Sequence, residues 1–182
     1  QRLKNMIFTI DEEDIITIVD VKQRVADNFA GNTDNVTKKF YDSFKKQHKA
    51  FLEFIKGIDD SIPDLKNKNK QWYASLMLNR LMFCHFIQKK GFLDSDPNYL
   101  QNKLRECTQK KPNHFHSFYR SFLMELFHDG LGKPKEYRKR DLPVPLGRIP
   151  YLNGGLFDIH ELEHLFNNIL IDDQAFKRIF DF

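Results

Sequence analysis

The residues His160-Glu161-Leu162-Glu163-His164 have the H-E-x-x-H spacing of zinc metalloproteases. That chemistry needs both histidines on one helical face to hold Zn²⁺, with the glutamate activating the metal-bound water. The match is formal only. Glu163 puts a charge where the extended pattern wants an uncharged residue, and only 18 residues follow His164 to supply a third ligand. The string therefore predicts a short surface helix whose acids sit near the positive end of its dipole. No residue is assigned as a metal ligand, and replacing His160 or His164 is expected to leave stability and metal content unchanged.

Other chemistries fail on spacing. A PD-(D/E)xK nuclease needs an Asp and, further on, an acid-x-Lys on a strand, so that two carboxylates and a lysine meet around Mg²⁺. Asp20-Val21-Lys22 has no Pro-Asp upstream, and Asp64-Leu65-Lys66 reuses the Asp of Pro63-Asp64. Cys84 and His85 are neighbours on one helix and point apart, which is packing and not a nucleophile with its base. Cys84 and Cys107 form no Cys-x-x-Cys pair and read as buried thiols. His114 and His116 flank Phe115 at a helix start and read as capping or surface residues. Asn153-Gly154-Gly155 is far from a phosphate-binding glycine loop and reads as a tight structural turn needing positive φ. No catalytic residue is assigned.

Charge is informative only locally. The whole chain carries +4, and between Leu131 and Arg148 six basic residues (Lys133, Lys135, Arg138, Lys139, Arg140, Arg148) face Glu136 and Asp141, a local excess of the same size. A solvated surface and phosphate contact both fit such a run. These six are the candidate DNA-contact residues.

The elements that must position them are mainly α, an irregular helical bundle. For residues 1–31 two readings stay open: a small β element within the first 22 residues, or helix. Residues 32–130 form the bundle core. Val36, Phe40, Phe44, Phe51, Ile55 and Ile58 mark one helical face that ends at Gly57 and Pro63. Gln71 to Lys90 is apolar on nearly every side, including Leu78 and Met82, and is expected at the centre. Gly91 closes it, and Asp94 to Pro97 opens a helix that buries Tyr99, Leu100, Leu104 and Cys107. A fifth helix carries Phe115, Phe118, Tyr119, Phe122, Leu123, Leu126 and Phe127. Residues 131–157 form a basic loop with four prolines and four glycines between Leu131 and Gly155, too long for a simple connector. Residues 158–182 hold two C-terminal helices capped by Asp158 and Asp172.

With 41% hydrophobic and 30% charged residues the chain is globular, and no apolar run approaches the roughly 20 residues that cross a bilayer. No membrane partner and a cytoplasmic location are expected. The opening on Gln1 and the final FKRIFDF read as cut ends of a longer protein.

Five strings carry a resemblance: VTKKFYDSF at 36–44, WYASLMLNRLM at 72–82, FIQKKGFLD at 86–94, FYRSFL at 118–123 and PYLNGGLF at 150–157. In this order they resemble the region just upstream of the adenine-N6 methyltransferase domain in type IIG restriction enzymes, which fuse endonuclease and methylase in one chain. The resemblance covers about Val36 to the C-terminus, and residues 1–35 match nothing. It implies that residues 158–182 lead toward a methyltransferase domain. It also implies a parent that is an adenine-specific DNA methyltransferase with restriction endonuclease activity, acting on double-stranded DNA with S-adenosylmethionine and Mg²⁺. The methylase's S-adenosylmethionine loop and its Asn/Asp-Pro-Pro-Tyr/Phe motif are absent here, and the nuclease would lie toward the N-terminus. The segment is therefore expected to hold no cofactor and to be a non-catalytic connector or DNA-positioning piece between nuclease and methyltransferase domains of one chain. A stand-alone, sequence-independent DNA-binding module is the alternative, and a metal-dependent hydrolase the remaining one.

Overall fold

A computed structural model describes residues 38–39, 42–59, 68–110, 117–139, 141–142, 144–152 and 154–181. The chain divides into two compact units, Gln1–Lys46 and Gln47–Phe182. The proposed β element of the first 22 residues lies outside the described residues, as do Asp20, Lys22, Asp64, Lys66, His114, His116, Arg140 and Asn153. In the second unit the architecture is mainly helical, as the 3.6-residue patterning requires.

Helix α1 (Lys68–Lys89) carries the heart of the core on one flank. Tyr73, Ala74, Met77, Leu78, Leu81, Cys84 and Ile87 are buried at spacings of one to four residues. The expectation of a helix covered all round is corrected: Trp72, Met82, Phe83 and Phe86 are exposed, Met82 to 46%. At 3.6 residues per turn these four fall within an arc of about 100°, so they share one open face of the helix. Hydrophobicity alone could not distinguish that flank from the covered one. Gly91, at φ 79°, turns the chain out of the helix, its amide bonding Gln88 O at 2.9 Å and that of Phe92 bonding Ile87 O at 3.0 Å.

Helix α2 (Tyr99–Lys110) buries Tyr99, Leu100, Leu104 and Cys107, as its pattern predicts. Its start differs from the expectation. Asp94 and Ser95 take left-handed φ of 51° and 59°, and the capping acid is Asp96, whose carboxylate accepts from the Asn98 amide at 2.8 Å. Buried Gln88 of α1 reaches across to accept from the Leu100 amide at 3.0 Å, tying the two helices together.

The next helix is wider than α. Over Tyr119–Leu123 and Glu125–Leu131 it is a π-helix: the Met124 amide bonds Tyr119 O and that of Gly132 bonds Phe127 O, five residues back. Phe118, Tyr119, Phe122, Leu123, Leu126, Phe127 and Leu131 are all buried. The Asp173 carboxylate satisfies its first turn, accepting from Ser117 Oγ and the Phe118 amide, each at 3.0 Å.

The C-terminal part comprises α3 (Glu161–Leu165), β2 (Leu170–Ile171) and α4 (Asp173–Phe180). Asp172 caps α4 as expected, accepting from the Gln174 amide at 2.8 Å. Asp158 does not cap α3, which is short and is capped by His160. β2 pairs antiparallel with β1 (Ile55–Lys56), Ile55 opposite Ile171. The helix leading into β1 therefore ends at residue 52, before the Gly57 stop that the apolar spacing suggested. Gly57 sits at φ 82° where a Cβ would lie 2.3 Å from Asn168 O, so the chain must turn here without a side chain. Edge-on aromatic pairs, Phe51 with Phe176 at 5.8 Å and Phe118 with Phe176 at 5.1 Å, seal α4 onto the core.

Candidate functional site

The residues of the histidine string serve different parts of the fold. Glu163 turns into the protein and meets Arg80, which lies in the middle of α1 with no solvent exposure. Arg80 Nη1 donates to Glu163 Oε1 at 2.7 Å, Nε to Leu156 O at 2.8 Å and Nη2 to Asp158 O at 2.7 Å. Its guanidinium also stands 5.3 Å from the centre of the Phe127 ring. Tyr73 Oη donates to Glu163 Oε1 at 2.9 Å and lies 2.7 Å from Tyr119 Oη. The His160 amide donates to Glu163 Oε2 at 2.8 Å, closing a capping box at the start of α3. One carboxylate thus joins α1, the π-helix and the chain from Leu156 to α3.

Burial pushes the Glu163 carboxyl up, but the nearby His128, the hydrogen bonds and charge of Arg80 and the His160 amide outweigh it and hold the pKa down at about 2. His128 Nδ1 donates to Phe157 O at 3.0 Å. Its Nε2 lies 3.3 Å from Glu163 Oε2, an ion-pair distance at an angle that makes no hydrogen bond. Burial, first, and the neighbouring Tyr119 and Glu163 raise the Tyr73 phenol above its usual range. The Glu163 side chain is buried, and its contacts fasten the elements around it. A buried arginine inside an apolar helix was the available sequence signal for it, and the reading of α1 as plain core passed over Arg80.

His160 is corrected too. Its Nδ1 lies 3.2 Å from the Leu162 amide as the cap of α3, and its Nε2 lies 3.2 Å from Trp72 Nε1. A neutral ring has one lone-pair nitrogen, so only one of these contacts is a hydrogen bond at a time. Either way the side chain is engaged, so its replacement is expected to cost stability. Among the described residues no group of three or more His, Cys, Asp or Glu is placed to hold a metal ion. Cys84 and Cys107 are buried free thiols; burial pushes Cys84 above its usual range and Cys107 up to about 11, which leaves both unreactive.

The basic loop is ordered by its own charges. Arg138 spends its guanidinium on carbonyls: Nε donates to Lys133 O at 2.9 Å, Nη1 to Ile149 O at 3.1 Å and Nη2 to Pro150 O at 3.0 Å. Buried Asp129 accepts from Lys133 Nζ at 2.9 Å and from the Lys139 amide at 2.6 Å. Lys139 Nζ bridges both oxygens of Glu125, at 3.0 and 3.1 Å. Residues 146–148 are pinned from the other side. Tyr99 Oη donates to Leu146 O at 2.7 Å, while the Asp94 amide donates to Arg148 O at 2.8 Å and the Arg148 amide to Asp94 Oδ1 at 3.0 Å. Gly147, at φ 68°, packs where a Cβ would lie 2.4 Å from that carboxylate. Gly155 stands at φ 53° in the turn that feeds Leu156 O to Arg80.

The six candidates therefore divide. Lys133, Arg138 and Lys139 are engaged inside the loop, while Lys135 and Arg148 are exposed with side chains that make no ion pair or hydrogen bond among the described residues. Lys135, Glu136, Arg138, Lys139, Leu142, Pro145, Leu146 and Gly147 line a cavity of about 610 Å³.

No helix among the described residues is long and apolar enough to cross a membrane. No family model matches the chain, and no solved structure does. A curated protein of Methanocaldococcus jannaschii, described as a candidate type II restriction enzyme and methyltransferase, is 27% identical over 177 residues. The match covers 85% of this chain but 15% of that protein, so the chain spans a small part of the relative's length and is similar to a region of a restriction–modification protein.

Proposed function

We propose that this chain is a non-catalytic helical connector of a type IIG restriction–modification enzyme that methylates adenine at N6 and cleaves double-stranded DNA in the cytoplasm. The ordered strings and the similarity to part of a restriction enzyme and methyltransferase support the family. S-adenosylmethionine and Mg²⁺ would be bound by other domains of a longer polypeptide, since the sequence carries neither the S-adenosylmethionine loop nor the Asn/Asp-Pro-Pro-Tyr/Phe motif of the methylase.

The observation that carries the connector reading is the open stripe of α1. Trp72, Phe86 and, just beyond the helix, Phe92 are 63%, 58% and 59% exposed, alongside Met82 and Phe83. Four large apolar side chains exposed on a helix whose other flank is core, with a fifth just past its end, mark an interface. The occupant is another domain of the same polypeptide, because a connector's purpose is to seat its neighbours and most of the relative lies outside the matched region. Oxidative footprinting read by mass spectrometry tests this. Trp72, Met82 and Phe86 should be labelled readily in the 182-residue chain and protected in the full-length enzyme; equal labelling in both would overturn the reading.

A further inference from the structure

We propose that the groove between residues 135–139 on one side and Leu142 and residues 145–147 on the other is a seat for the phosphodiester backbone of duplex DNA, with Lys135 and Arg148 as its contacting cations and Arg138 as the residue that shapes it. The proposal deepens the restriction–modification reading by naming where this chain would touch DNA, and its test is separate from that of the apolar stripe.

Three observations support it. First, a phosphate seat needs cations with nothing nearer to neutralise them. Lys135 lines the groove and Arg148 directly follows the lining residue Gly147, and both side chains are exposed and unpaired among the described residues. Second, the seat is rigid, so little ordering is lost on binding. Arg138 ties residue 133 to residues 149 and 150, and the amide and the carboxylate of Asp94 bond the backbone of Arg148, next to the lining residue Gly147. Third, Tyr137 is 73% exposed between Glu136 and Arg138, a ring free to lie against a sugar or base edge without reading sequence. Glu136 opposes a polyanion from within the lining. Lys139 is held by Glu125 in an exposed pair that a phosphate can displace at small cost.

The test is fluorescence anisotropy of the 182-residue chain with two 20-base-pair duplexes of unrelated sequence, across salt concentration. Lys135→Ala with Arg148→Ala should weaken binding to both duplexes by roughly tenfold per cation at 50 mM salt and reduce the salt slope by about 1.8. Both side chains lack partners, so the melting temperature should not move, whereas Arg138→Ala should lower it and is not the diagnostic variant. Glu136→Gln should tighten binding to both duplexes. No binding by the unaltered chain at low salt, an unchanged slope in the double variant, or an effect confined to one duplex would each overturn the groove. If the groove fails while the footprint of Trp72 and Phe86 is protected, the connector reading stands; a surviving groove with an unprotected stripe removes the connector reading alone.

Discussion

Arg80→Met and Glu163→Gln, singly and together, measure how far one buried ion pair holds this fold. Arg80→Met leaves the Glu163 carboxylate with Tyr73 and the His160 amide but without its guanidinium partner, and strips the donors from Leu156 O and Asp158 O. Breaking one side of a buried pair costs about 3–5 kcal/mol, and we expect about 4 for Arg80→Met, a large part of the roughly 5–15 kcal/mol that stabilises a domain. Glu163→Gln keeps the acceptor oxygen but turns an amide N–H toward Arg80 or the His160 amide, at about 2–3 kcal/mol. The double variant should cost less than the two single losses added, with a coupling of about 2 kcal/mol.

The same pair has a pH signature. The folded-state pKa of Glu163 is depressed from 4.5 to about 2, so its contribution is present above the ordinary value and lost as pH falls through the folded one. That difference corresponds to about 3 kcal/mol, disappearing between about pH 5 and pH 2. Glu163→Gln should remove this component and leave a shallower acid loss from Glu106 and Asp129, whose pKa values are also lowered. Urea unfolding followed by far-UV circular dichroism at pH steps from 7 to 3 reads both effects. Strict additivity of the two substitutions, with parallel pH profiles for Glu163→Gln and the unaltered chain, would refute the account of Glu163 as the fastening carboxylate.

The two flanks of α1 should respond oppositely to truncation. Leu78→Ala, at a site 5% exposed, should cost about 2–5 kcal/mol, while Met82→Ala should stay within about 0.5 kcal/mol in this chain, and equal losses in thermal unfolding would contradict the assigned faces. Gly57→Ala adds a Cβ against Asn168 O at a positive φ and should lower stability by more than about 1 kcal/mol; an unchanged melting temperature would mean that the turn into the β1–β2 pair is not as described.

The fold class was legible because helical periodicity is a repeated signal. Tyr99, Leu100, Leu104 and Cys107 gave the buried face of α2, and Asp172 gave the start of α4, each from local rules. Non-local features were not legible. Ile55–Lys56 continues an apolar helical pattern and leaves it only because Leu170–Ile171, far along the chain, supplies strand partners. The π-helical winding of Tyr119–Leu131 likewise preserves the apolar stripe that predicted an ordinary helix while shifting the backbone bonds by one residue. The open stripe on α1 was invisible for a related reason: pattern reports which side chains are apolar, and only the assembled neighbours report which of them are covered.

Side-chain chemistry was harder to read than the fold, because a residue type names what a group can do and its surroundings decide what it does. In the histidine string the glutamate that fitted the motif, Glu161, is exposed, and the one that spoiled it, Glu163, became the centre of the buried network. The charge excess of the loop behaved in the same way. Six cations looked equivalent in sequence, yet Asp129, Glu125 and three backbone carbonyls engage Lys133, Lys139 and Arg138, and only the Asp129–Lys133 pair, four residues apart, has a spacing that sequence offers. What remains for an outside partner is set by subtraction. A cation tied into the fold contributes rigidity, a cation left over contributes affinity, and a groove that binds a polyanion needs both kinds side by side.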